Sequence, residues 1–266
     1  MKKAIIILVF ICLYTNANSQ PIDTMFMKCQ YKHKSTVQRR RGPMEEIDTM
    51  NLEIGKNISK FYSYHNYMVD SIRSNSDPSI WMFYKTTSNQ YTLFLNYPKN
   101  KTTVYDNAMG TVTYFEYTEA FEIPKWTVHN ETQTVLSHPC RKATCRFRGR
   151  DYEAWYAIDI PISRGPYKFS GLPGLILKIA DTENLYSFEC TGIEKVNAPM
   201  YKRYSKDVKT VRTTREEFIS MNKKGYSNPT AALENMLKAV GAKNIDEIMK
   251  KFPDRSEVNY NPIELE

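Results

Sequence analysis

One stretch constrains this chain more than any other. Residues 160–179 read I-P-I-S-R-G-P-Y-K-F-S-G-L-P-G-L-I-L-K-I, with Gly165-Pro166 and Gly171-Leu172-Pro173-Gly174 set between two strand-like runs. Upstream is Tyr152 to Ile158, rich in aromatic residues; downstream is Leu175 to Ile179. Glycine reaches backbone angles that other residues avoid, while proline fixes φ and removes a donor. The connection therefore has a dictated shape. Pro173 suits the first central position of a turn from Leu172 to Leu175, which puts Gly174 where a type II turn needs a positive φ. Gly171 then reads as a point of close approach to a neighbouring strand. Leu175-Ile176-Leu177 reads as a buried central strand.

Strand signals fill the chain on both sides of this connection. Thr24 to Lys34 alternates a soft apolar face with a basic one, as residues on opposite sides of a strand do. Gln38 to Pro43 is a basic turn region, and Met50–Ile54 and Ile58–Tyr64 make a hairpin about Gly55-Lys56-Asn57. Tyr67 to Arg73 reads as a short helix, stopped by Asn75-Ser-Asp-Pro78. Tyr91–Tyr97, Thr102–Tyr105 and Val112–Tyr117 are aromatic and β-branched. Trp126–Val128 and Gln133–Val135 read as short strands. Ala143–Arg148 pairs with Asp151–Asp159, and Leu175–Ala180 with Leu185–Ile193.

After about Arg212 the pattern becomes helical. Thr214-Arg-Glu-Glu217 is a capping box, Asn228-Pro229 opens a second helix that stops at Gly241, and Asn244 caps a third over Ile245–Lys251, ended by Pro253. Many strands followed by helices predict an α+β fold. We expect a strongly curved antiparallel sheet, a half-barrel open on one side, with the C-terminal helices packed on its concave face. Residues 20–212 form the β-rich part and 213–266 a helical segment of the same domain. The strand count and late helices look like the periplasmic lipoprotein carriers, an analogy of fold that carries no function.

The Gly171-Leu-Pro-Gly-Leu-Ile176 sequence, with Cys140-Arg-Lys-Ala143, Phe147-Arg-Gly-Arg150, Trp155, Ile160-Pro-Ile162 and Gly165-Pro166 around it, resembles the GLPGLI family of Bacteroidetes proteins. Leu52–Gly55, Lys60–Ser63 and Asn261–Leu265 extend the resemblance over nearly the whole chain. It implies a secreted protein of uncharacterised function, with Gly165, Pro166, Gly171, Leu172, Pro173, Gly174 and Trp155 as its motif positions.

Residues 1–19 have the make-up of a signal peptide: basic Lys2 and Lys3, an apolar run from Ala4 to Tyr14, and Ala17-Asn18-Ser19 before Gln20. The run is too short to span a bilayer, and Cys12 does not follow the small residue that a lipid-anchor cysteine follows. An exported protein in the periplasm or at the cell surface follows as the expectation, with no stable membrane insertion after cleavage. The net charge of +8 comes from scattered residues apart from Arg39-Arg40-Arg41. Without a reading motif this is solvated surface charge, not a nucleic-acid footprint. Four cysteines follow the leader: Cys29, Cys140, Cys145 and Cys190. In an oxidising compartment an even count predicts at least one disulfide, with the connectivity open.

No catalytic constellation stands out. The chain has no G-x-S-x-G, no H-E-x-x-H and no phosphate loop. Asp151 and Glu153 share a strand face, where paired carboxylates are commonly just solvated. The four histidines, His33, His65, His129 and His138, are dispersed. The expectation is no enzyme and no cofactor. Met25, Met27, Cys29 and His33 share one face of the first strand, and thioether, thiolate and imidazole suit copper(I) or zinc. Same-face neighbours stand ~7 Å apart, so a second strand would have to contribute, through Cys190 or His65. The plainer reading is a core face with methionine as filler. Tyr62, Tyr64, Tyr91, Tyr97, Tyr105, Tyr114 and Tyr117 on predicted strands suit a concave wall for an apolar or glycan ligand. The expected function is thus that of an exported binding or accessory protein, with an envelope protein as the other partner class. Soft-metal binding and a hydrolase with a dispersed site are the alternatives.

Overall fold

The structure, a computed structural model, describes residues 20–39, 42–74, 91–109, 111, 113–202, 210–239, 241–251 and 262–266. The leader, the break at Asn75–Pro78, Val240 before the expected stop at Gly241, the stop at Pro253, and Val112 and Asn261 lie outside these residues.

Among the described residues, twelve strands form one open, mostly antiparallel sheet. The first six are β1 (Asp23–Arg39), β2 (Gly42–Gly55), β3 (Ser59–Ser63), β4 (Thr92–Leu95), β5 (Lys101–Asn107) and β6 (Tyr114–Ala120). The others are β7 (Thr127–Val135), β8 (His138–Phe147), β9 (Arg150–Ala157), β10 (Leu175–Asp181), β11 (Tyr186–Met200) and β12 (Thr210–Arg212). From edge to edge the order is β12-β6-β5-β4-β3-β2-β1-β11-β10-β9-β8-β7. Two meanders thus meet where β1 pairs with β11. Parallel pairing occurs between β12 and β6, from Thr210 opposite Tyr114 to Arg212 opposite Glu116. Three residues are too few to show a strand period, so this edge left no trace in the sequence.

Local turn chemistry fixes the hairpins. Leu136 and Ser137 both have positive φ between β7 and β8, as do Arg148 and Gly149 between β8 and β9. Two left-handed central residues match the twist of the flanking strands. The two short strands expected around Asn130 are one strand, β7, with a register irregularity between Val128 and Thr132. β1 and β2 run longer than expected, pairing out to Arg39 opposite Gly42.

Helix α1 (Tyr64–Ser74) follows β3; α2 (Arg215–Ser227), α3 (Pro229–Ala239) and α4 (Ile245–Lys251) follow β12. The capping box of α2 forms as expected, with Thr214 accepting from the Glu217 N–H and Glu217 accepting from the Thr214 N–H. Phe218 of α2 lies on Phe115 and Tyr117 of β6, with ring centroids 6.1 and 5.3 Å apart. α3 packs on α2, and α4 on α3. Among the described residues, no helix is long and apolar enough to cross a membrane.

The main core lies on one face of the sheet. Met27, Cys29, Tyr31, Met50, Leu52, Phe61, Leu93, Val104, Tyr152, Ile176 and Phe188 all contribute. Tyr167, Phe169 and Leu172 of the β9–β10 connection fill it from above. Phe169 is fully buried, its ring 4.7 Å from Tyr152 and 5.7 Å from Phe147. Burying such a side chain contributes about 1.5–3 kcal/mol. A smaller cluster of Ile58, Phe94, Tyr105 and Met200 lies on the other face.

Candidate functional site

The β9–β10 connection is a closed structure held at both ends. Leu175 donates its N–H to the Ile160 carbonyl at 3.0 Å, and Ile176 to Arg164 at 3.0 Å. Arg164 and Ser170 form a bridge, Gly171 N–H donates to Ser163 Oγ at 3.0 Å, and Trp126 Nε1 donates to the Ser170 carbonyl at 2.8 Å. The glycines exchange the roles expected of them. Gly171 has the positive φ, +99°, whereas the φ of Gly174 is outside the left-handed region. A Cβ on Gly174 would overlap the Ala157 carbonyl oxygen, so this glycine lets the loop lie against the end of β9. On Gly165 it would come within 2.9 Å of the Ile176 side chain, while Pro166 and Leu172 are buried beside it.

Tyr167 is left-handed at φ 54°. A side chain in this region costs on the order of 1–2 kcal/mol. The strained turn aims the Tyr167 ring inward and its hydroxyl at Glu264, to which it donates at 2.5 Å. Lys168 Nζ lies 2.5 Å from Glu264 and 2.6 Å from Glu119. From α2, Arg215 reaches Glu264 Oε2 at 2.8 Å and Glu119 Oε2 at 3.3 Å, and it also donates to the Glu266 carbonyl. Arg148 meets Glu119 at 3.2 Å. The chain end is pinned against the β8–β9 hairpin. Arg150 donates to the Pro262 carbonyl at 2.8 Å while paired with Asp181 at 3.1 Å, and Leu265 N–H donates to the Arg148 carbonyl at 2.9 Å. Burial pushes the Glu264 carboxyl up, but Lys168, Tyr167 and Arg215 outweigh it and hold the group at about 2.

Beside this cluster is a cavity of about 110 Å³ between β4, β5, β6, the connection, α2 and the chain end. Tyr91, Tyr117, Tyr167 and Phe218 give it aromatic walls; Asp106 and Glu264 give it carboxylates. Tyr91 and Tyr167 meet edge to face at 5.6 Å. Asp106 Oδ1 accepts the Asn107 N–H at 2.8 Å, and among the described residues no cation pairs with it. Asp106 is half-buried, and the protein around it pushes its carboxyl up to about 7, against the Asn107 N–H and the Lys168 charge. The Tyr91 hydroxyl is buried with no hydrogen-bond partner among the described residues, and burial raises its pKa well above the ordinary phenol range.

The sequence pointed to part of this site. Tyr91 and Tyr117, two of the seven tyrosines expected on a ligand wall, line the cavity. Tyr97 and Tyr105 pack on the other face, Tyr62 donates to Glu53 at 2.7 Å, and Tyr64 is exposed at the start of α1. Asp106 was missed, yet its strand parity was readable: Thr102, Val104 and Asp106 alternate onto the core side of β5. Lys168 and Glu264 had no local signal, because their partners are 96 residues apart.

The soft-ligand face is divided. A register irregularity between Met25 and Met27 puts Met25 opposite Gly55 and Met27 opposite Ile54. Met25 then packs with the second cluster, while Met27 and Cys29 enter the main core. His33 stacks on Phe188 at 4.2 Å, with Nδ1 3.0 Å from the Ser187 carbonyl. Among the described residues, no group of three His, Cys, Asp or Glu is placed to hold a metal ion.

The expected disulfide is not formed: Cys29, Cys140, Cys145 and Cys190 are free and buried. Cys140 and Cys145 lie five apart on β8, which pairs with β9 in unbroken register, so they point to opposite sides. Cys29 and Cys190 are neighbours across β1 and β11; the hydrogen bond that the Cys29 thiol donates to Cys190, together with burial, holds that thiol far above its usual range. Trp155 donates its Nε1–H to Glu153 at 3.1 Å, and Lys142 pairs with Glu153 at 2.8 Å, so that carboxylate is committed to surface contacts.

A family model described as a protein of unknown function, Porph_ging, matches residues 147–178. That segment holds the turn at Arg148, the tail anchor Arg150, both Tyr167 and Lys168, and the whole β9–β10 connection. No curated protein matches the chain. Among solved structures, one described as PNGF-II in P21 space group has 13% identity and a TM-score of 0.50, covering 76% of this chain and 34% of its own. PNGF-II in C2 space group has 13% identity and a TM-score of 0.49, with 76% and 33% covered. The chain spans about a third of the length of these structures, and the likeness to the first is one of fold.

Proposed function

We propose that the protein is an exported, non-enzymatic binding or accessory protein of the GLPGLI type, with the aromatic cavity as its ligand site. The observation that carries this reading is the wall of Tyr91, Tyr117, Tyr167 and Phe218 with carboxylates on two sides. Ligand sites combine apolar or aromatic walls with a few placed polar groups. The cavity's 110 Å³ is below the ~300–1,000 Å³ of drug-sized sites, so it suits one ring or headgroup of an apolar or glycan ligand. A sheet curved as a half-barrel would put the rest of such a ligand along its open side. The Gly/Pro connection and the chain end then act as the frame that holds Tyr167 in the wall.

Export of the full chain and native mass spectrometry of the product test this. A small molecule held in stoichiometric amount by the wild type, and released by a folded Val104→Phe variant that fills the cavity, is the expected result. Wild-type protein that carries nothing, and whose Tm no lipid headgroup or saccharide raises, would overturn the reading.

A further inference from the structure

We propose that the cavity binds a small organic cation, a protonated amine or methylated ammonium group, between Asp106 and the aromatic faces of Tyr91 and Tyr117. This inference rests on the ligand-site reading above and narrows it to one chemical class. Three features point the same way. First, the cavity carries uncompensated negative character. Among the described residues no lysine or arginine lines it, and Lys168, whose charge reaches Asp106, already holds Glu119 and Glu264 at 2.6 and 2.5 Å. Among the described residues, an anionic ligand would meet two carboxylates and no unpaired counter-charge. Second, the two carboxylates differ in kind. Glu264 spends its oxygens on Lys168, Tyr167 and Arg215, whereas Asp106 accepts one backbone N–H and, among the described residues, pairs with no cation. A half-buried carboxylate without a charge partner is costly to ionise, and an arriving cation relieves that cost. Third, the walls suit the rest of the headgroup. Tyr and Phe faces attract ammonium groups through the ring quadrupole, by roughly 0.5–2 kcal/mol each as desolvation increases. The Tyr91 hydroxyl, with no partner among the described residues, is placed to accept from an N–H.

The same arrangement makes binding compete with protonation. Asp106 is faced by Lys168 from the connection, Glu264 from the chain end and the phenols of Tyr91 and Tyr117, with Arg215 of α2 beyond Glu264. Its carboxyl is half-protonated near pH 7, so a cation binds the ionised form and displaces the proton.

The test is isothermal titration of the exported full chain with three probes: choline, its neutral isostere 3,3-dimethylbutan-1-ol, and glucose. At pH 8 we expect choline to bind at least tenfold more tightly than either neutral probe. From pH 8 to pH 6 its affinity should fall about tenfold, because below the carboxyl's midpoint each pH unit costs a factor of ten. Asp106→Asn, with an unchanged fold by circular dichroism, should lose at least tenfold for choline and nothing for the isostere. The pH profile of the wild type carries the same information if the variant folds poorly. Equal binding of choline and the isostere, unaffected by pH, overturns the cation and leaves a ligand cavity standing. Binding of none of the three at millimolar concentration overturns both the cation and the cavity as a ligand site.

Discussion

Two carboxylates border one cavity and have opposite fates. Glu264 reaches it from the chain end, inside a cluster of Lys168, Arg215 and Tyr167 that holds it ionised down to about pH 2. Asp106 reaches it from β5, with one backbone N–H for company, and burial pushes it up to about 7. Both are crowded by protein, so burial alone does not decide ionisation. Partners do, and they come from different places. The partners of Glu264 sit on the strained turn at Tyr167–Lys168 and on the first turn of α2; the open side of Asp106 faces the cavity. The fold satisfies one acid fully and leaves its neighbour a single backbone N–H, although ionising a half-buried carboxylate without a charge partner is costly.

The largest effect should come from removing the partner of the satisfied acid. Lys168→Met leaves Glu119 and Glu264 facing each other with less positive charge, and breaking a buried pair costs about 3–5 kcal/mol. Urea denaturation at pH 7 measures it. A loss under about 1 kcal/mol would mean that Arg215, with Arg148 on Glu119, holds the cluster without Lys168 and that the contrast rests on those arginines.

The pH dependence of stability sharpens the comparison, because the two acids give slopes of opposite sign. The carboxyl of Glu264 is lowered on folding from 4.5 to about 2, so its contribution is complete above pH 4.5 and is lost as pH falls towards 2. That of Asp106 is raised from 3.8 to about 7, so its contribution is complete below pH 3.8 and is lost as pH rises through 7. The loss at Asp106 is on the order of 2–4 kcal/mol. Asp106→Asn should therefore flatten the decline between pH 4 and 7 and leave the acid limb below 4.5 unchanged. A variant with the wild-type decline would show that Asp106 does not carry it.

Gly174→Ala tests how the satisfied side is assembled. Its Cβ would strike the Ala157 carbonyl, and overpacking of this kind costs about 1–3 kcal/mol. The shift should also move Tyr167 and Lys168 away from Glu264, raising the midpoint of the acid limb while the Asp106 slope persists. An equal loss of both slopes would make the change global. The smallest effect is expected from Thr214→Ala, which removes the α2 cap for about 1 kcal/mol. It loosens Arg215 without touching Lys168, so thermal unfolding should report a modest drop in Tm with both pH slopes kept.

Much of this molecule was legible in local pattern. The alternation of β1, the hairpin turns after β2 and β8, the Thr214 capping box and the helix starts at Pro229 and Ile245 follow from neighbours in sequence, whereas the turn at Leu136-Ser137 was not readable and the one expected at Asn130 lies within β7. The same reasoning placed Gly171 and Gly174 in a dictated loop but assigned their roles the wrong way round. Composition shows that a glycine is needed; whether the need is a φ of +99° or the approach of the Ala157 carbonyl depends on where β9 ends. The cysteines show the same limit. Their even number said nothing about distance, and β8 holds Cys140 and Cys145 on opposite faces of an unbroken ladder.

What the sequence determined by itself is a large mostly antiparallel sheet with late helices, because periods of two and 3.6 residues are set by covalent geometry and steric exclusion within a few residues. What only the tertiary structure decided is the site. Lys168 and Glu264 are 96 residues apart and Arg150 and the Pro262 carbonyl 112 apart, and they meet only because two meanders join through β1 and β11. A charge finds its partner through the low dielectric of the folded interior, where Coulomb attraction is strong and water is absent. No window of sequence holds that information, and so Asp106, whose character lies in the partners it lacks, became visible only in the fold.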